Sequence, residues 1–111
     1  MTGPSKSEHI KALNDAFRRT FIGGKILMSA GMVSFCDDQM RQIVRAVQGY
    51  LAFTPDNDPY GEHDFGSVEI LGNKFFWKID YYDKSMQKGS ENPSDTEQTV
   101  RVLTIMLADE Y

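Results

Sequence analysis

The chain has 111 residues, 12 Lys and Arg against 16 Asp and Glu, a formal net charge of −4 and one cysteine. That length supports one domain with its own core, and a single cysteine excludes a disulfide-built scaffold. The apolar runs fall far short of the ~20 residues of a membrane span, no basic-then-apolar leader follows Met1, and the acid excess argues against a dedicated DNA-backbone binder. A cytoplasmic protein is therefore expected.

Residues 1–4 read as a flexible terminus and residues 5–111 as a single α+β domain. Ser5 and Glu8 have capping-box spacing. Ile10, Leu13 and Phe17 follow as an apolar helical stripe, Arg18 and Arg19 suit the negative end of the helix dipole, and Gly23-Gly24 ends the element. Lys25 to Val33 is predicted as a strand. Asp37 or Asp38 is the expected cap of a second helix with the stripe Met40, Ile43, Val44 and Val47, stopped at Gly49.

A hairpin is predicted over Gly66–Leu71 and Lys74–Tyr82 around a Gly72-Asn73 turn, pairing Leu71 with Lys74, Ile70 with Phe75 and Val68 with Trp77. One face of it is apolar. The other interleaves Phe65, Ser67, Glu69, Phe76, Lys78, Asp80 and Tyr82. Asp83 to Glu97 is a polar loop, and Val100 to Ala108, rich in β-branched residues, reads as a central strand with a helix as its rival. The order α-β-α-β-β-β predicts two helices on one face of a mainly antiparallel four-stranded sheet.

Four carboxylates (Asp56, Asp58, Glu62 and Asp64) and His63 fall within nine residues of one another. Ca²⁺ or Mg²⁺ suits such oxygens and a transition metal suits His63 with its acidic neighbours. Asp58, Glu62, His63 and Asp64 are thus the candidate metal ligands, and His63 the candidate general base, oriented by Asp80 or Asp64. The offsets match neither an EF-hand nor a two-His metalloprotease helix, and Asp and Asn beside Pro and Gly are ordinary turn formers. No cofactor is expected, and an enzyme is not the leading reading. Cys36 has no partner signature and reads as a small buried apolar group. Arg18, Arg19, Lys25, Arg41 and Arg45 read as solvated helix faces rather than a basic patch. Phe65, Phe76, Lys78 and Tyr82 would suit base stacking, but burial or a protein interface is favoured, and a homodimer if that face is uncovered.

The strings Leu13-Asn14-Asp15 with Arg18-Arg19 and Gly23-Gly24, Phe53 to Pro59, Gly61 to Gly66, Phe75 to Asp83 and Arg101 to Ala108 resemble the bacterial domain-of-unknown-function family DUF3768, from about Ile10 to Tyr111. Tyr60 stands where relatives are expected to carry His, which weakens a metal site needing a second imidazole. The resemblance implies no activity and no residue roles. It implies a setting on plasmids, integrated elements and phages, and so an accessory role such as antagonising a host defence system. The leading expectation is a non-catalytic acidic binding module. It would meet a protein or nucleoprotein partner through Asp56, Asp58, Glu62, His63, Phe65, Phe76, Lys78, Asp80 and Tyr82; a metal-dependent hydrolase on the 56–64 loop is the alternative.

Overall fold

The computed structural model describes residues 5–111, so the expected flexible terminus lies outside the described residues. Helix α1 (Lys6–Thr20) starts at Ser5, whose hydroxyl accepts the Glu8 N–H. Strand β1 (Gly24–Met28) is followed by a 3-10 helix at Ala30–Ser34, helix α2 (Asp37–Gln48), strands β2 (Phe65–Ile70), β3 (Asn73–Tyr82) and β4 (Val100–Leu107), and a last 3-10 turn at Ala108–Glu110. The order therefore differs from the expected one by two interposed 3-10 helices. Among the described residues no helix is long and apolar enough to cross a membrane.

The sheet order is β1-β4-β3-β2. The pairs β2–β3 and β3–β4 are antiparallel, whereas β1 runs parallel to β4, with Gly24 opposite Arg101 and Met28 opposite Ile105. The sheet is thus mixed, a correction to the mainly antiparallel expectation. The connection from β1 to β4 passes through α2, the kind of crossover that a parallel pair needs. Strand β1 is also shorter than predicted, because after Ser29 the chain leaves the ladder, and Ala30 to Ser34 close a turn of 3-10 helix.

Both helices lie on the sheet face formed by Phe75, Trp77 and Ile79 of β3 and Leu103 and Ile105 of β4. Phe17 of α1, Ile43 and Val47 of α2, Met32 and Tyr50 complete this buried cluster. Each large apolar side chain buried there stabilises by about 1.5–3 kcal/mol. Cys36, not Asp37 or Asp38, is the cap of α2; its N–H donates to Gln39 Oε1, and the two aspartates occupy the first turn, where the helix dipole favours them. Cys36 is exposed rather than buried.

The hairpin register is shifted by two residues from the prediction: Ile70 faces Asn73, Val68 faces Phe75, and Gly66 faces Trp77. A shift of two keeps every side chain on its expected face, because strand side chains alternate with period two. The turn residues become Leu71 and Gly72, both with left-handed φ (57° and 73°), as a two-residue primed turn requires. What fixes this register is Trp77. A Cβ at Gly66 would lie 2.5 Å from the Trp77 indole nitrogen, so only glycine fits opposite that ring.

Gly66→Ala should accordingly lower the stability measured by urea unfolding by about 1–3 kcal/mol; an unchanged midpoint would show that the ring has room to move. Leu71→Asn should raise it by about 0.5–1 kcal/mol, since asparagine tolerates left-handed backbone better than leucine.

Candidate functional site

Helix α1 turns a polar pair inward. Asn14 and Arg18 lie four residues apart, one turn of helix, on the face that also carries Phe17, and both are fully buried. The Arg18 guanidinium packs against the rings of both Phe53 and Trp77, at 5.3 and 5.2 Å from their centroids. Its Nη1 donates to Asp15 Oδ1 at 2.9 Å and its Nη2 to the Tyr50 carbonyl at 3.2 Å, while Nε has no partner. Arg18 is therefore a core residue, a correction to the solvated-face expectation; Arg19, Lys25, Arg41 and Arg45 are exposed.

The 54–64 loop closes over this cation. Thr54 and Asn57 exchange reciprocal hydrogen bonds, and Asn57 Nδ2 also donates to the Ala52 carbonyl. Gly61 and His63 both adopt left-handed φ (67° and 56°), and the resulting reversal lays the His63 ring flat on Phe53, with centroids 3.7 Å apart. His63 Nδ1 lies 2.9 Å from Asp15 Oδ1 and Nε2 lies 3.6 Å from Asp58 Oδ2. Asp58 also accepts the His63 backbone N–H at 3.3 Å. The partners of His63 are thus Asp15 and Asp58, not the Asp80 or Asp64 expected from sequence. Burial alone would raise the Asp15 carboxyl pKa, but hydrogen bonds from His63 and Arg18 outweigh it and hold the group below its ordinary value.

Asn14 organises the neighbouring half of the site. Its Nδ2 donates to the Glu62 carbonyl at 2.9 Å and to the Tyr81 hydroxyl at 2.8 Å, and its Oδ1 accepts from Arg101 Nε at 2.8 Å. Both amide hydrogens are used, so the amide orientation is fixed by its neighbours. Arg101 also lies over the Tyr81 ring at 5.3 Å. Burial raises the Tyr81 phenol pKa well above its ordinary value, so the hydroxyl keeps its proton and donates it to Asp64 Oδ2 at 3.2 Å. The carboxyls of Glu62 and Asp64 are both pushed up, chiefly by burial, with like charge from Asp58 adding to it; Tyr81's hydrogen bond opposes the rise at Asp64.

The sequence-predicted residues fall into two groups on opposite sides of the sheet. Asp58, Glu62, His63 and Asp64 gather at the α1 side, and Asp56 is exposed on the loop. Phe65, Phe76, Lys78, Asp80 and Tyr82 lie on the outer face. There Lys78 pairs with Asp80 at 3.1 Å, and Tyr111 packs on Phe65 and Phe76 at 5.7 and 5.3 Å. Asn14, Asp15, Arg18, Tyr81 and Arg101 were not among the predicted site residues. Asn14 was detectable, because it stands four residues after Ile10 on the apolar stripe. Among the described residues no three His, Cys, Asp or Glu side chains are arranged to hold a metal ion.

The family model described as "Protein of unknown function (DUF3768)" matches residues 28–110, and the chain belongs to that family. The match includes the 54–64 loop, Tyr81 and Arg101 but begins after α1. No curated protein and no solved structure matches the chain.

Truncating Arg18 to Ala should cost about 3 kcal/mol or more, because it empties buried space against Phe53 and Trp77 and leaves the Tyr50 carbonyl without its donor; a loss below about 1 kcal/mol in urea unfolding would show that water replaces the guanidinium. The raised carboxyls give a pH signature. Glu62 and Asp64 hold protons more tightly in the folded chain than in the unfolded one. Their contribution to stability therefore falls as pH rises from 3.8 and 4.5, their ordinary values, through the raised folded values. Glu62→Gln with Asp64→Asn should flatten that part of the stability–pH curve, and an unaltered slope would contradict the assignment.

Proposed function

Starting from this family membership, we propose that the chain is a small non-catalytic binding module, an accessory protein of mobile-element type, whose outer sheet face docks a protein or nucleoprotein partner. One observation carries the reading: the polar groups of the 54–64 loop bond mainly to one another and to α1, while among the described residues no α-helix lies over the face around Lys78 and Asp80. That face is a shallow depression of about 470 Å³ around the ion pair, with Val102 and Met106 buried at its floor and Leu27, Tyr82 and Met86 at its surface. An apolar surface of this kind with a charged centre suits a protein interface.

The acid excess of the chain, 16 Asp and Glu against 12 Lys and Arg, gives the partner a sign. A basic surface on the partner complements that excess. This favours an inhibitor that occupies a basic, nucleic-acid-handling site on a host defence protein, acting in the cytoplasm. Direct nucleic-acid binding is less well supported, since Tyr111 already packs on the Phe65 and Phe76 rings that bases would stack on.

Capture from a host lysate on the immobilised chain tests the reading. A specific protein retained by the wild type should be lost with Lys78→Glu plus Tyr82→Ala, at a melting temperature changed little, because surface substitutions usually stay within about 0.5 kcal/mol. Equal capture by the variant would remove the outer face from the reading. The alternative, a metal-dependent hydrolase on Asp58, Glu62, His63 and Asp64, would use His63 Nε2, 3.6 Å from Asp58 Oδ2, with Asp15 holding the other ring nitrogen. Melting with Mn²⁺ or Zn²⁺, with and without chelator, tests it; no shift would end it.

A further inference from the structure

The sheet has two edges, and they are built differently. At β2 the edge carries Gly66 and Glu69, and the exposed large apolar side chain beside it is Leu71 in the turn (37%). At β1 the exposed apolar groups concentrate: Leu27 and Met28 on the strand (54% and 38% exposed), Ile22 just before it (78%) and Val33 on the 3-10 helix just after it (89%). From Thr20 to Cys36 the only charged side chain is Lys25, although a quarter of the chain is charged. Natural edge strands are usually blunted by charge, proline or a bulge, and β1 has only that lysine.

The backbone of this edge is also unpartnered. Ser29 N–H donates to the Ile105 carbonyl of β4, so by the alternation of a parallel ladder the odd residues of β1 face β4. Gly24, Ile26 and Met28 then turn their N–H and C=O groups outward, where no other strand among the described residues pairs with them. These groups bond another extended strand or water.

We propose that β1 pairs antiparallel with β1 of a second copy of this chain, about a two-fold axis at Ile26, joining two four-stranded sheets into one of eight strands. The register follows from the outward-facing groups. Ile26 meets Ile26, Gly24 meets Met28, and these narrow pairs supply about six backbone hydrogen bonds. Lys25 then stands opposite Leu27 of the other copy, so the two lysines avoid each other. The sparse charge of residues 20–36 favours a second copy as occupant: both chains carry the same net acid excess, and this is a stretch where they can approach without opposing it. Because the axis is closed, pairing stops at two.

Sedimentation equilibrium of the full chain from about 1 μM to about 1 mM tests the register through Leu27, which lies on the outer face away from the core. The wild type should dimerise. Leu27→Lys sets two like-charge pairs against Lys25 and should raise the dimer Kd about tenfold or more, whereas Leu27→Glu sets two opposite-charge pairs there and should hold Kd within about threefold of wild type. A wild type monomeric throughout, assemblies larger than two, or equal weakening by both variants would each overturn the proposal.

Discussion

A fully buried arginine on an amphipathic helix is the constraint around which this domain is arranged. Arg18 is desolvated, and desolvating a cation costs several kcal/mol unless its surroundings return it. They do so in three ways: the Asp15 carboxylate, the Tyr50 carbonyl, and the faces of Phe53 and Trp77. Such a desolvated cation–π contact contributes about 2 kcal/mol. Each contributor belongs to a different segment, so one guanidinium ties α1 to the end of α2, to the loop and to β3. Where His63 lies follows from this, since Phe53 offers one face to Arg18 and stacks with the imidazole, and Asp15 binds both.

This dependence explains why the acidic loop looks chemical in sequence and proves structural in much of its detail. A His flanked by carboxylates is the raw material of acid–base catalysis. Here the two ring nitrogens face Asp15 and Asp58, and Asp58 also fixes the His63 backbone. Asn14 performs a parallel task for Glu62, Tyr81 and Arg101. The result is a polar seam along the helix–sheet boundary, with the outer sheet face left open on the opposite side.

The helices, the hairpin faces and the β4 strand were legible because each rests on local periodicity: Ile10 and Phe17, Ile43 and Val47, the alternation from Phe75 to Tyr82, and the β-branched run from Val100. The hairpin register was not, because the deciding fact is the fit of the Trp77 ring over Gly66, which no turn propensity encodes; the turn that forms places Leu71 at a left-handed φ that sequence preference argues against. The parallel β1–β4 pair was hidden because its strands lie far apart in sequence and no local signal sets their relative direction. The buried role of Arg18 was hidden because a cation in a last helical turn has a good solvent-exposed reading. At the site, the loop residues were found by their density. Their partners on α1 lie some fifty residues away in sequence, and only Asn14 on the apolar stripe hinted at them.

The central place of β4 has a consequence for how the chain acquires this structure. It is the last strand in sequence and yet separates β1 from β3. Until residues 100–107 are available, β1 has no strand to pair with, and the β2–β3 hairpin can form only half the sheet. Local helices and the hairpin form in microseconds, whereas the β1–β4 ladder must first close a loop through most of the chain. During synthesis on the ribosome the apolar β1 segment therefore stays unpaired until nearly the whole domain has emerged, and the insertion of one late strand converts a set of loosely associated elements into a cooperative unit.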